Sequence, residues 1–378
     1  MLLEFGARNY FSFKEGFEVS LRLNNNCPES ISHGKEFTNV ICVKGGNASG
    51  KTNILKTLDF IGNFSVDSFR TKPDSEIMIE TFFRSEDPTC FYIVFKMENI
   101  EYRYELEVTK DRILSEVLYK KVKRNTKIIE RKLEKIIYTN NDYSELEMMK
   151  LRKNASLIST ANQYEFKSIN TVYSFFKNII TNVDNFGYHG FDPDISKISE
   201  LYLNNEELFN FAIEQIKKSD VGIDKIKILN RDLDNGGKNY FPIFYHDLEG
   251  DRKALTIHYE SSGTKALYKI LFLYKLILNT GGVLVLDEFD VNLHPHILPR
   301  LIKLFDNGNN KINAQLIFTT HNSKIMDELG KYRTILVSKD KNCSFAYRLD
   351  ELPGDIVRND RQISNLYNSG KLGGVPRV

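Results

Sequence analysis

The sequence predicts a mixed α/β fold: a buried sheet of short apolar strands, an antiparallel sheet beside it, and a helical insertion. Three observations support this prediction. The stretch "NVICVKGG" is a short apolar run that ends in glycines and passes into a helical pattern. The later stretches "VLVLDEFD" and "QLIFTTHN" are apolar runs of strand length, each followed by polar residues. Residues 76–122 instead alternate apolar and polar residues, which is typical of an antiparallel sheet with one wet face.

The chain has 378 residues, enough for two or three domains or for one large domain with an insertion. We expect the N-terminal part of the core and the antiparallel sheet in residues 1–124, and the C-terminal part of the core in residues 241–378. Residues 125–240 are richer in Asn, Lys, Ser and Glu, and we predict a mainly helical insertion or lid there. The clearest helix of this segment is "NNEELFNFAIEQIKK", with Asn204 or Asn205 as its cap.

The composition is that of a globular protein, with 41% hydrophobic and 27% charged residues. A formal net charge of +2 gives no general signal for nucleic acid and leaves only local contacts open. The four cysteines are scattered without a CxxC pair, so we expect reduced thiols in a cytoplasmic protein. No apolar run reaches the roughly 18 residues of a membrane span, and we expect no membrane association.

The glycine-rich stretch "VKGGNASGKTNIL", residues 43–55, has the spacing of a phosphate-binding P-loop. Glycines let successive backbone N–H groups point inward around a phosphate, and the helix that follows adds its positive dipole end. In this pattern Lys51 reaches the β- and γ-phosphates, and the Thr52 hydroxyl binds Mg²⁺. We therefore predict a nucleotide site formed by Gly45, Asn47, Ala48, Ser49, Gly50, Lys51, Thr52 and Asn53.

Two later strand ends supply polar residues that suit the same site. Asp287 emerges at the end of a buried strand, where α/β sheets bind ligands, and its carboxylate can hold the Mg²⁺ shell. The adjacent Glu288 can orient or deprotonate an attacking water. His321 follows another apolar strand, and a neutral imidazole there can hydrogen-bond the γ-phosphate or the water. A purely structural role for His321 stays open.

The stretch "YESSGTKAL" predicts a second anion-binding helix terminus. It places Ser261, Ser262 and Gly263 at the start of a long helical pattern. An ordinary helix cap would look the same in sequence. Because one chain would then carry two phosphate-type sites, we expect the second to complete the first across a dimer.

These motifs together identify a family resemblance. "GGNASGKTN", "ESSGTKAL", "VLVLDEFD", "NLHPHIL" and "QLIFTTHN" occur in the order seen in ABC-type ATPases. The chain most resembles the AAA15 group (RloA-like, including AbiLi), within the larger class of SMC, RecF and OLD-type ATPases. The opening "LEFGARNYFSFKEGFEVSL", the strand "IEYRYELEV" and the tail "NLYNSGKLGGVP" also resemble this group, so that only the insertion is poorly covered. The resemblance implies an ABC-type P-loop ATPase head with an antiparallel β subdomain and a helical insertion.

The resemblance also implies roles for individual residues. Lys51 and Thr52 match the Walker A residues, and Ser262 and Gly263 match the signature motif. The remaining matches are the Walker B pair Asp287 and Glu288, the switch histidine His321, and Asp290 and Asn292 in the D-loop. By this resemblance the ligands are ATP and Mg²⁺, and Lys51, Glu288 and His321 are the catalytic residues.

The resemblance further implies how the protein works. It implies a head-to-tail dimer, or a higher oligomer, with two ATP molecules held at the interface. It implies a switch subunit of a bacterial anti-phage (abortive infection) complex. No nuclease-type acid cluster stands out in this chain, so we expect a separate effector encoded nearby, such as a TOPRIM or RloB-like nuclease.

Two other functions stay open at the level of sequence. A RecF- or SMC-like DNA-repair ATPase would use ATP to gate nucleic-acid binding, and the basic run at 119–135 is a candidate contact. The long heptad pattern of a full SMC protein is missing. A transporter subunit is the third alternative, but we find neither a glutamine-ended signature nor a convincing Q-loop glutamine.

Several residues remain without a firm role in the sequence. The segment Thr81–Arg84 is our candidate for the Q-loop region. The candidates for stacking on adenine are Tyr10, Phe11 and Phe13. We interpret His294 and His296, which flank a proline, as a structural turn rather than as metal ligands.

Overall fold

The computed structural model describes residues 1–189, 192–234, 236–306, 310–353, 356–357 and 362–374. Its strands are β1 (Leu2–Arg8), β2 (Phe17–Ser20), β3 (Val40–Gly45), β4 (Thr89–Met97), β5 (Ile100–Val108), β6 (Ile113–Lys121), β7 (Asn125–Lys132), β8 (Lys135–Thr139), β9 (Ile179–Thr181), β10 (Val183–Asp184), β11 (Gly187–Tyr188), β12 (Ile223–Asp232), β13 (Lys238–Leu248), β14 (Asp251–Thr256), β15 (Val283–Leu286), β16 (Gln315–Thr319), β17 (Thr334–Asp340) and β18 (Cys343–Arg348). Its helices are α1 (Glu29–Ser32), α2 (Lys51–Asp67), α3 (Leu157–Gln163), α4 (Asn170–Lys177), α5 (Ile195–Leu203), α6 (Glu206–Ser219), α7 (Ser262–Thr280), α8 (Leu298–Asp306), α9 (Ile325–Leu329) and α10 (Ile363–Asn368). Residues 375 and 376, the end of the tail quoted above, lie outside the described residues.

The central sheet has the strand order β18-β17-β3-β16-β15-β9. Its strands pair in parallel from β17 to β9, while β18 pairs with β17 in the antiparallel sense. Every residue of β3, β15 and β16 is buried, which is why each appears as an unbroken apolar run in the sequence. The three strands predicted from those runs are confirmed. Because the carboxyl ends of parallel strands lie at the same end of a sheet, the segments that follow β3, β9, β15 and β16 meet there.

A second, antiparallel sheet has the order β2-β1-β4-β5-β6-β7-β8. Along β5 the side chains of Tyr102, Tyr104, Leu106 and Val108 are buried, and the residues between them are only half-buried. This alternation confirms the predicted sheet with one wet face. The N-terminal strands β1 and β2 pair in the antiparallel sense and belong to the same sheet.

The insertion is less helical than predicted. Residues 125–139 form β7 and β8 and extend the antiparallel sheet, and β12, β13 and β14 form a further three-stranded sheet. Helices α3 to α6 occupy the part between them. The prediction of a mainly helical 125–240 segment is therefore wrong at both ends. The alternation of β7 is hidden in the sequence because only Ile128, Ile129 and Arg131 of that strand are buried, and one of these is basic.

Two hydrophobic clusters cover the two faces of the central sheet. Ile41 and Val43 of β3 pack in the cluster that contains α2 and the antiparallel sheet. Val40 and Cys42 point the other way, into the cluster that contains α7 and α8. Helix α7 carries an apolar stripe, with Leu267, Leu271 and Tyr274 buried and Ile270 and Leu278 packed against the cluster. Among the described residues, we find no helix with the length and apolarity that a membrane crossing requires.

Candidate nucleotide-binding site

The loop between β3 and α2 requires glycine at two of its positions. A Cβ atom on Gly45 would lie 2.4 Å from the Val337 carbonyl oxygen. Gly50 has φ of +111°, and a Cβ atom there would lie 2.8 Å from the Ser12 hydroxyl. No other residue type fits either position without moving backbone or breaking a polar contact. The glycines seen in the sequence therefore shape this loop around the start of α2.

Polar groups of the loop face inward. The Lys51 ammonium donates to the carbonyl oxygens of Gly45 (3.0 Å) and Gly46 (2.9 Å), which folds its side chain back over the loop. Burial lowers the pKa of Lys51 from its usual value. The buried Ser49 hydroxyl has no hydrogen-bond partner among the described residues. A cation and an unpaired hydroxyl at the N-terminus of a 17-residue helix suit a phosphate group.

Asp287 is the polar centre at the end of β15 and is only 3% exposed. Its Oδ2 accepts from the Thr52 hydroxyl at 2.7 Å, and its Oδ1 accepts from the Thr319 hydroxyl at 2.5 Å. The start of α2 and the ends of β15 and β16 therefore meet at one carboxylate. Both carboxylate oxygens are bonded to hydroxyl groups rather than to a basic side chain. Hydroxyl and carboxylate oxygens are the ligands that Mg²⁺ prefers, so Thr52 and Asp287 fit a magnesium ion.

Glu288 and His321 lie on the loops beside Asp287. The backbone of Glu288 has φ of +48°, and its N–H donates to the Thr319 hydroxyl at 2.8 Å. This conformation turns the half-exposed Glu288 side chain away from the strand direction. His321 has an exposed side chain, and its backbone N–H donates to the carboxylate of Asp290 at 3.2 Å. Hydrogen bonds thus tether the backbone of both residues beside Asp287.

Lys44 is a buried residue that binds the backbone just before His321. It is 3% exposed, and its ammonium donates to the Thr320 carbonyl oxygen at 2.8 Å. The same ammonium lies 5.6 Å from the ring centre of Tyr367 on α10. Burial lowers the pKa of Lys44 to about 8. A buried cation therefore connects the strand of the glycine loop, the loop of His321 and the C-terminal helix.

Asn182, which the sequence did not single out, fixes the backbone of Asp287. Its Nδ2 donates to the Asp287 carbonyl oxygen (3.0 Å), and its Oδ1 accepts from the Asp287 N–H (2.7 Å). It follows β9, which pairs in parallel with β15. The signal for it was the stretch "NIITN", in which a short apolar run precedes a polar residue as in the other two strand ends.

The helix terminus at Ser261 forms as predicted. The Ser261 side chain caps α7 by accepting from the Thr264 N–H at 3.1 Å, and Ser261 and Ser262 are exposed. A Cβ atom on Gly263 would lie 3.1 Å from the Asn292 carbonyl oxygen, so this terminus packs beside the loop after β15. Within the described residues, no hydrogen bond or ion pair connects 261–263 with the glycine loop at 45–53.

Other sequence candidates lie elsewhere in the structure. Tyr10 and Phe13 are at most 1% exposed and cannot stack on a base, whereas half-buried Phe11 packs under the Lys56 ammonium at 4.1 Å. The Q-loop candidate, segment Thr81–Arg84, is hydrogen-bonded to Asn9. The segment after β9, and not this candidate, is hydrogen-bonded to Asp287. The rings of His294 and His296 are 5.2 Å apart and exposed. Among the described residues, no group of three or more His, Cys, Asp or Glu is arranged to hold a metal ion.

Comparison with protein families finds one match that spans most of the site. Residues 40–327 match the family described as "AAA domain, putative AbiEii toxin, Type IV TA system". The matched range contains the glycine loop, the α7 terminus, the Asp287 strand and the His321 loop. No curated protein matches the chain in sequence.

Solved structures with a similar fold are SMC head domains. The SMC head bound to the C-winged helix domain of ScpA has a TM-score of 0.52 at 14% identity, and the alignment covers 93% of this chain and 98% of that chain. The SMC head domain from Thermotoga maritima has 0.47 at 15% identity, covering 92% and 98%. The Pyrococcus furiosus SMC head with an extended coiled coil, bound to the C-terminal domain of ScpA, has 0.44 at 14%, covering 93% and 97%. The first of these shows that the chain has the fold of an ABC-type P-loop ATPase head.

Proposed function

Because the chain belongs to the family described as "AAA domain, putative AbiEii toxin, Type IV TA system", we propose that it is an ATP-driven switch subunit of a bacterial anti-phage system. In this proposal it binds and hydrolyses ATP and controls a separate effector. The single observation that carries the ATPase assignment is the contact between Thr52 of the glycine loop and Asp287 of the acidic strand, at 2.7 Å. The family description, which names a toxin–antitoxin system, supports the defence context.

The residues at the site divide the chemistry as follows. Lys51 donates to the β- and γ-phosphates, and the backbone N–H groups of the glycine loop surround the β-phosphate. Mg²⁺ held by Thr52 and Asp287 would neutralise charge on the phosphates. Glu288 orients and deprotonates the attacking water, and His321 hydrogen-bonds the γ-phosphate or that water. Its tether to Asp290 holds the His321 loop beside Glu288.

The exposed Ser261 helix terminus suggests how the switch operates. Ser261, Ser262 and Gly263 form an anion-binding terminus that has no bond to the glycine loop of its own chain among the described residues. We assign it to the ATP of a second copy, in a head-to-tail dimer. ATP then contacts both copies only in the closed state, so its binding favours closure and its hydrolysis favours opening.

The effector and the setting complete the proposal. We assign the chain to the AAA15 (RloA-like) group and place the toxic activity on a separate polypeptide, such as a TOPRIM or RloB-like nuclease. The four cysteines form no disulfide, which is consistent with our placement of the complex in the cytoplasm.

Substitution of Glu288 tests the ATPase assignment. We expect Glu288→Gln to retain Mg²⁺–ATP and to prolong the closed dimer, because the base is lost while the phosphate contacts stay. Turnover should fall by about 10²–10⁴-fold, the usual contribution of a general base. Phosphate release and size-exclusion chromatography with ATP measure the two effects. Normal turnover in the variant would remove Glu288 from the mechanism.

Mixing two inactive variants tests the shared site. Lys51→Ala disables the glycine loop, and Ser262→Arg disables the α7 terminus. In a mixed dimer one of the two sites keeps both intact halves, so activity should partly return. If both variants fold and associate but the mixture stays inactive, each chain contains a complete site of its own.

The SMC-like fold and a basic hairpin favour a second candidate, an ATPase that gates nucleic-acid binding. The β6–β7 turn and its flanks expose Lys121, Lys123 and Arg124, and Val122 beside them is 69% exposed. Lysines and arginines on such a tip would contact phosphates. Salt-dependent, ATP-dependent DNA binding that is lost on replacing these three residues by glutamine would favour this function. If the triple substitution left DNA binding unchanged, the hairpin would be excluded as the DNA contact.

A further inference from the structure

A cavity of about 250 Å³ lies between α2 and the segment 71–78, and no residue of the glycine loop lines it. Its floor is aromatic. The rings of Phe60 and Phe64 are stacked at 5.2 Å, and Tyr10 lies 6.5 Å from Phe60. Met78, which is 57% exposed, forms part of the opposite wall. The cavity is smaller than the roughly 300–1,000 Å³ of drug-sized sites, so it suits a small ligand.

All the ionisable side chains with a charge at neutral pH around this cavity are acidic. Asp59, Asp67 and Glu76 line it, and none of its lining residues is Lys, Arg or His. Asp67 is 2.9 Å from the guanidinium of Arg70. Within the described part of the chain, neither Asp59 nor Glu76 takes part in an ion pair. Lys56 and His189 act on Asp59 electrostatically, but neither of these two carboxylates is neutralised by a direct ion pair among the described residues.

A buried amide in the cavity wall also lacks a donor. Asn154 is 2% exposed, and its Nδ2 donates to the carbonyl oxygens of Lys72 (2.8 Å) and Ser75 (2.9 Å). Both bonds go to the segment that covers the cavity. Its Oδ1 is buried without a hydrogen-bond partner among the described residues. A buried acceptor of this kind is destabilising until a donor reaches it.

We propose that this cavity binds a small organic cation, with an ammonium group on an aromatic or aliphatic body. Charge complementarity supports this occupant, because acidic and acceptor groups surround the pocket and no basic side chain lines it. The aromatic floor supports it as well, since ring faces attract cations and bury apolar atoms. Burial raises the pKa of Asp59 because it disfavours the charged carboxylate, and a cation bound there would offset that effect.

The cavity is connected to the candidate nucleotide site through Asp59. Its Oδ1 accepts from the Thr181 hydroxyl at 2.7 Å and from the Asn63 amide at 2.8 Å. Thr181 immediately precedes Asn182, which holds the backbone of Asp287. A cation on Asp59 would therefore shift the Thr181–Asn182 segment. The binding site does not depend on ATP turnover, whereas its effect on turnover rests on the proposed function.

Binding of 2-phenylethylamine and of its neutral isostere 2-phenylethanol tests the site by calorimetry on the full chain. The amine should bind at least about tenfold more tightly, the ratio that one charge-assisted hydrogen bond provides. Asp59→Asn, which keeps an acceptor for Thr181, and Glu76→Gln should each remove most of this preference. Asp74→Asn is the matched control, because Asp74 is exposed nearby and does not line the cavity.

The outcomes separate this proposal from the ATPase assignment. Equal binding of amine and alcohol, no binding of either, or an unchanged preference in Asp59→Asn would overturn the cation site. Tighter binding of N-acetyl-arginine amide than of the amine would overturn it in favour of a partner's side chain. If the amine also changes ATP turnover in the native chain but not in Asp59→Asn, the link to Asp287 is supported; unchanged turnover would overturn that link. Cation binding without any ATP turnover would instead refute the proposed function.

Discussion

Replacement of Asn182 by alanine tests whether the backbone of Asp287 is positioned from the neighbouring strand. The Asn182 side chain makes two hydrogen bonds to Asp287, one to its N–H and one to its carbonyl oxygen. Asp287 is 3% exposed and Asn182 is 5% exposed, so little water can replace the lost amide. Each buried group left unpaired costs about 1–3 kcal/mol. After partial relaxation we expect the free energy of unfolding to fall by about 2–4 kcal/mol.

The same substitution should affect the chemistry. Residues that orient a metal ligand typically contribute about 10–100-fold in metal affinity or activity. Asn182→Ala should therefore raise the Mg²⁺ concentration needed for half-maximal ATP turnover by about that factor. It should leave ATP binding without Mg²⁺ nearly unchanged, because within the described part of the chain no hydrogen bond joins Asn182 to the glycine loop.

Two assays and one control decide this prediction. Urea denaturation followed by circular dichroism gives the stability, which suits a chain without tryptophan. Phosphate release at varied Mg²⁺ gives the apparent metal affinity. Asn185→Ala is the control, since the Asn185 side chain oxygen has no hydrogen-bond partner among the described residues. If Asn182→Ala matches this control in both assays, Asn182 does not position Asp287.

Two further predictions concern buried cations. Arg131→Met should lower the free energy of unfolding by about 3–5 kcal/mol, because it leaves Glu116, 1% exposed, without its ion-pair partner at 3.2 Å. Urea denaturation should show a smaller loss of stability in the double variant Arg131→Met/Glu116→Gln. An equal loss in the single and double variants would contradict the reasoning. The pKa of Lys44 is lowered from 10.5 to about 8, so between these pH values the unfolded chain binds more protons than the folded chain. Below pH 8 the folded protein bears the cost of burying the charged ammonium, and this cost is relieved as the pH rises. The stability of the native chain relative to Lys44→Met should therefore rise between pH 8 and 10.5, and a constant difference across that range would refute the assigned shift.

The parts of the structure that the sequence predicted are those set by local pattern. The unbroken apolar runs predicted β3, β15 and β16, because a strand buried on both faces has no polar positions. The glycine loop was predictable because its motif lies within one short segment and because Gly50, with φ of +111°, meets a backbone requirement that side chains rarely satisfy. The Ser261 cap was predictable because a helix cap hydrogen-bonds to residues only two or three positions away in the sequence.

The parts that the sequence left out depend on contacts between distant residues. Asn182 acquires its role only because β9 pairs with β15, about a hundred positions later in the chain. Strand β7 was missed because Arg131 is a core residue there: its guanidinium donates to Glu116 and to the carbonyl oxygens of Arg152 and Ala155. A basic residue in a polar stretch predicts an exposed surface until those acceptors are known. Tyr10 and Phe13 show the opposite case: the sequence offered them as residues that stack on adenine, but they are buried in the core.

The order of strands in the central sheet explains why Asp287 can respond to more than one region of the chain. Its backbone is fixed from β9 by Asn182, and its carboxylate is bonded to the Thr52 and Thr319 hydroxyls from the β3 and β16 sides. These contacts come from three different elements at the same sheet edge, namely α2, β16 and the segment after β9, so a shift in any one of them changes the position of the carboxylate. Magnesium affinity is sensitive to such shifts, because the ion requires near-ideal octahedral geometry. If Asp287 holds Mg²⁺ as proposed, a signal at α2, at the segment after β9 or at the end of β16 would act through this one carboxylate.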